Sequence, residues 1–152
     1  MNGASHLVGG VTAAVILGIQ SPAQLAVVAV SALLPDIDRS NSLLGRFIPI
    51  LPSILEKVPG KRTVTHSLLF GVGIWLLFQL IGPNWAMDFA IGYTSHLLLD
   101  LFTGLVALLW PLPWKFGVPL LGIPPVFVET IAVAVWGAWM VLGGYRYFDF
   151  WF

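Results

Sequence analysis

Long apolar runs with few polar interruptions constrain this chain more than any single motif does. The first is "MNGASHLVGGVTAAVILGIQ", and four more follow at about 22 to 35, 66 to 82, 85 to 110 and 126 to 144. Runs this long and continuous, with no period-two alternation, predict helices rather than strands. A chain with 58% hydrophobic and only 9% charged residues lies outside the soluble balance and falls in the membrane class. The expected fold is all-α: one domain over 1–152, an integral bundle of about five transmembrane helices. Each run is at or near the length of about 20 residues that crosses a hydrocarbon core of about 30 Å. The first two are short and joined only by "QSP", so that pair is expected to be sheltered by the others or to sit where the bilayer thins. The N-terminal run lacks the basic region of a signal peptide and is read as a retained helix. Residues 36 to 65 and 106 to 125 form the longer Pro- and Gly-rich connections, with "PSILEKV" in the first as a short interfacial helix.

The few charges carry the next step. Seven basic and seven acidic residues balance to a net charge of zero, which argues against a nucleic-acid-binding surface. Arg39, Arg46, Lys57, Lys61 and Arg62 cluster in the first long connection, Lys115 lies in the second, and Arg146 stands near the C-terminal end. With five spans, both connections and the N-terminus share one side, and the positive-inside rule makes that side cytoplasmic. The closing "YRYFDFWF" reads as an aromatic belt at the opposite interface.

That topology brings the polar residues together. His6 opens the first helix, "LLPDID" delivers Asp36 and Asp38 at the end of the second, and His66 opens the third. "HLLLD" places His96 and Asp100 on one face of the fourth, and Glu129 starts the fifth at the same level. Ionisable groups within a membrane span are costly and are usually paired or functional. Seven of them converging on one side call for a shared positive charge. With no cysteine present, the donors are imidazole and carboxylate, a ligand set that suits zinc, manganese or non-haem iron. The expected cofactor is therefore a divalent metal, one or two zinc ions by preference. Asp38 is favoured as a ligand, while Asp36 is open between ligand and base. Each residue alone also has a structural reading. His6, "PDID", "THS" and Glu129 could be caps or helix ends, and Asp88 an interfacial acid. Their convergence favours the metal.

In order, His6, "LLPDID", "KRTVTHSLL", "GYTSHLLLDLFT" and "LLWP" resemble the LexA-regulated, membrane-bound, metal-dependent hydrolases, the YdjM-like family. The resemblance covers residues 6 to about 111 and implies a multi-pass inner-membrane protein whose His and Asp residues hold a metal. Family members often carry His where Lys61 stands here. More distantly, the order of ligands is similar to the zinc-dependent phospholipase C and S1/P1 nuclease superfamily, although the chain lacks the extra histidines of a three-metal site. The expected activity is metal-dependent hydrolysis of a phosphoester, on a lipid or other amphiphile reached from the inner leaflet. Asp36 would take a proton, and Arg62 with Lys61 would attract the anionic group or anchor at the headgroups. The alternative is a divalent-metal-binding membrane protein or transporter without hydrolysis.

Overall fold

Glycine and proline punctuate the apolar runs and decide where each helix stops. The structure, a computed structural model, describes residues 3–46, 50, 52, 55, 62–118 and 124–142. Helix α1 (Gly3–Ile16) closes where Gly18, at φ 84°, lets the Gly18 and Ile19 amides turn back onto the Val15 and Ala14 carbonyls at 3.0 Å each. This left-handed stop favours a residue without a Cβ. Pro22 opens α2 (Pro22–Leu33) at a position whose amide has no partner within the helix. Pro35 cannot donate the amide that would extend α2, and the chain tightens into a 3₁₀ turn over Leu34–Asp38. A second 3₁₀ turn, Val64–His66, leads to α3 (Leu68–Ile81), where Ser67 Oγ caps the helix by accepting from the Phe70 amide at 3.1 Å. Gly82 separates α3 from α4 (Pro83–Thr103), and α5 (Pro125–Val141) ends the order. Among the described residues there is no strand, only one antiparallel bridge between Val106 and Phe116.

Helix α4 lies at the centre, with α1, α2 and α3 packed on it and α5 resting on α1. Small residues allow the close approach. A Cβ at Gly92 would collide with the Val28 carbonyl oxygen of α2, one at Gly10 would stand 2.7 Å from Ala32 Cβ, and one at Gly71 would meet the Tyr93 ring. Such contacts let the helix backbones approach closely and pack tightly. Phe89, Tyr93, Leu97 and Val106 form the apolar core. On the inward face of α4, Asp88, Gly92, His96 and Asp100 recur every four residues and are all buried.

One expectation is corrected. Among the described residues no helix is long and apolar enough to cross a membrane. Helices α1, α2, α3 and α5 have 14, 12, 14 and 17 residues, short of the span requirement of about 20. At 21 residues α4 is long enough, but it carries Asp88, His96 and Asp100. The run expected to continue to 110 stops at Thr103, where Gly104 follows in an extended conformation, and the 22-to-35 run changes from α to 3₁₀ winding after Leu33. The outer faces are nonetheless apolar: Leu69, Leu76 and Leu80 on α3 and Ile131 and Val135 on α5 are exposed. Most of "PSILEKV", with Lys57, Lys61, Arg146 and the "YRYFDFWF" end, lies outside the described residues.

Candidate metal centre

The three histidines come from three different places, and each is positioned by its own local structure. His96 and Asp100 stand one turn apart on α4, so one face delivers both. His96 Nδ1 lies 2.7 Å from the Ala32 carbonyl oxygen, a contact only an N–H can make. Nδ1 therefore carries a proton, and Nε2 is the ring atom turned toward the other donors. His66 sits in the 3₁₀ turn that Tyr93 pins from α4, its hydroxyl 2.9 Å from the Thr65 carbonyl and 2.7 Å from that of Ser67. His6 reaches in from α1, its ring stacked on that of His96 at 3.6 Å between centroids.

The donor atoms form a tight figure. His66 Nε2 is 3.3 Å from His96 Nε2 and 3.3 Å from Asp100 Oδ2, and His96 Nε2 is 3.7 Å from the same oxygen. Donors at bond lengths of about 2.0–2.2 Å around a tetrahedral metal stand about 3.3–3.6 Å from one another, so the triangle has the dimensions of three zinc ligands. Asp36 Oδ1 flanks it at 3.9 Å from His66 Nε2, and His6 Nε2 flanks it at 3.4 Å from Asp100 Oδ1. Two overlapping groups, His6 with His96 and Asp100, and Asp36 with His66 and His96, thus have donors close enough to hold a metal ion. All of these side chains are buried.

Asp36 and Asp38 part company because a 3₁₀ turn advances about 120° per residue. Asp36 faces Arg39 at 3.4 Å and the triangle, whereas Asp38 Oδ2 lies behind His66, 3.4 Å from Nδ1. Asp38 also accepts the Arg62 amide at 2.8 Å. A carboxylate behind a ligating histidine fixes its orientation and raises its basicity. Arg62, at φ 56°, holds Asp38 with its backbone and Asp100 Oδ1 with its guanidinium at 3.1 Å. A left-handed non-glycine residue at such a junction is strain kept where structure demands it.

The fit to a metal has a second support. Both ring nitrogens of His6, including the Nε2 that flanks the triangle, are buried without a hydrogen bond. Such groups are costly in a protein interior unless a further partner completes them. Glu129 stands in α5, but its side chain lies outside the described residues. Asp88 is two turns further along α4 from His96, where it accepts from Gln24 Nε2 at 3.2 Å.

Residues 1–151 match the family described as YdjM inner membrane protein. The chain belongs to this family. It is 36% identical over 141 residues to the uncharacterized protein YvsG of Bacillus subtilis (strain 168), covering 88% of each chain. It is 34% identical over 123 residues to the inner membrane protein YdjM of Escherichia coli (strain K12), and equally to that of Shigella flexneri, covering 72% of this chain and 62% of those relatives. No solved structure matches.

In this YdjM-family chain, reasoning from sequence names Asp38 and Thr65 beside His66 but misses two other groups that position the histidines, the Ala32 carbonyl and Tyr93. The Ala32 carbonyl carries no signal, because any residue could supply it. Tyr93 does carry one: a phenol within an apolar helix needs a partner for its hydroxyl, and it stands three residues before His96.

Proposed function

We propose that this chain is a membrane-embedded, metal-dependent hydrolase of the inner membrane that cleaves a phosphoester of a lipid or other amphiphile. The observation that carries the reading is the triangle of His66 Nε2, His96 Nε2 and Asp100 Oδ2, with edges of 3.3, 3.3 and 3.7 Å. Three protein donors with a fourth position open is the pattern of a catalytic rather than a structural zinc site. A divalent ion there would act as a Lewis acid and make water acidic enough to yield a nucleophile at neutral pH. Zinc suits the imidazole and carboxylate donors best, and manganese or iron would also fit. His96 offers only Nε2, so the two overlapping donor groups cannot each use it for a separate ion, which favours a single metal.

The remaining residues divide the work. Ala32 and Asp38 fix the two histidine rings, and Arg62 holds Asp100 Oδ1 while Oδ2 faces the triangle. Asp36, beside the triangle and next to Arg39, takes a proton from attacking water. Membrane placement is supported by the names of the relatives and by the exposed apolar faces of α3 and α5. Helices this short fit a locally thinned bilayer.

A transport reading has one observation in its favour, the buried Asp88 further along the inward stripe of α4. Metal analysis of the purified protein, turnover on phosphodiester, phosphomonoester and lipid panels, and metal flux in liposomes separate the two, with His96→Ala as control. Turnover lost in His96→Ala supports the hydrolase. Metal flux without turnover in the wild type sinks it.

A further inference from the structure

We infer that the cleft between the first turn of α1 and the 39–46 loop is a phosphate-binding subsite of the metal centre, with Arg39 and Arg46 as its recognition residues. The inference rests on the hydrolase reading and names the chemistry its substrate must carry. The cleft has a volume of about 320 Å³, in the range of small-ligand sites, and Asp36 forms part of its wall. Arg39, Asn41, Ser42 and Arg46 complete its polar side, and Leu43 adds an apolar edge. Asp36 thus faces both the donor triangle and the cleft, so a group bound in the cleft lies next to the centre.

The loop is folded to bring the two arginines to one wall. The Arg39 carbonyl accepts the Ser42 amide at 3.0 Å, the Ser42 carbonyl accepts the Arg46 amide at 3.3 Å, and Ser42 Oγ accepts the Gly45 amide at 2.8 Å. Gly45 passes so close to the Arg39 carbonyl that a Cβ would collide with it. Two guanidinium groups and one carboxylate leave the cleft with surplus positive charge. Guanidinium forks match phosphate oxygens in a way that a lysine ammonium does not. Arg62 does not line the cleft and is held on Asp100 at 3.1 Å, whereas Arg39 lines it, is more exposed and makes the longer pairing, 3.4 Å to Asp36. Two further clefts, one between α3 and α4 and one across α1 and α4, contain no cation. Leu43, exposed at the mouth, gives the phosphate an apolar neighbour that suits an amphiphile.

The test titrates detergent-solubilised protein with inorganic phosphate and, separately, with short-chain phosphatidic acid, in metal-loaded and chelator-treated forms. Arg39→Gln and Arg46→Gln are expected to weaken binding of at least one probe about tenfold, the loss of one charge-assisted contact. Arg39→Lys should retain part of the affinity, and Lys115→Gln, which alters an exposed cation outside the cleft, should bind as wild type does. Tighter binding of the lipid identifies a headgroup as the source of the phosphate, and tighter binding of the free anion identifies a soluble ester. Wild-type protein that binds neither probe in either form overturns the inference, as does unchanged affinity in both glutamine variants. Metal content, measured on the same samples, reports on the metal centre separately, so a chain that binds phosphate through these arginines but holds no metal refutes only the hydrolase reading.

Discussion

Replacing Gly92 by alanine should push α2 away from α4 and, through one carbonyl group, loosen the metal centre. A Cβ at this position would stand 2.9 Å from Ser31 Cβ and 3.0 Å from Ala32 N, besides colliding with the Val28 carbonyl oxygen. Two of these three atoms are backbone and cannot swing aside, so α2 must retreat by roughly half an ångström to one ångström to restore ordinary contact. Ala32 travels with α2, and its 2.7 Å bond to His96 Nδ1 stretches beyond good geometry. Overpacking and the weakened buried hydrogen bond together cost roughly 2 to 4 kcal/mol. Loss of the histidine's orienting partner weakens metal binding by at least about tenfold. The control is Gly73→Ala on α3, where a Cβ meets nothing within 4 Å and helix propensity gains up to about 1 kcal/mol. Thermal unfolding in detergent, followed by tryptophan fluorescence, and metal titration measure both effects. A Gly92→Ala protein with wild-type melting and metal affinity would refute this coupling of packing to site.

Three further outcomes are expected. Asp38→Asn leaves His66 without its carboxylate and should weaken metal binding by about ten- to a hundredfold in a competition assay with a chromogenic chelator. Metal affinity should rise with pH, because protons compete with the metal for the His66, His96 and Asp100 donors; a titration showing no proton release or pH dependence would contradict this. Tyr93→Phe removes the hydroxyl that pins the turn before α3 and should lower stability by about 1 kcal/mol or somewhat more, read as a reduced melting temperature.

Much of the site was legible because side-chain period does not depend on tertiary detail. His96 and Asp100, four residues apart in an apolar run, had to share a helix face, and the short joint at "QSP" had to turn the second helix back beside the first. Helix extents were harder to read, since apolar composition continues past the points where Gly18, Pro35 and Gly104 stop the regular winding. The division of labour between Asp36 and Asp38 was hidden for a related reason. It follows from the pitch of a 3₁₀ turn, and the sequence shows only that Pro35 ends the α pattern. Arg39 and Arg46 looked like topology determinants because their common wall depends on the fold of the loop between them. The Arg62–Asp100 pair joins residues distant in sequence, which no local spacing encodes.

The stacking of His6 on His96 and its approach to Asp100 have a consequence for biosynthesis. Helix α1 is synthesised well before α4, which carries its partners. The roughly ninety intervening residues take about 5 to 20 s to synthesise. Throughout that interval His6 lacks the ring and the carboxylate it meets in the folded chain. The donor cluster can therefore be completed only after Asp100 has emerged, and the arrival of α4 is what brings its members together.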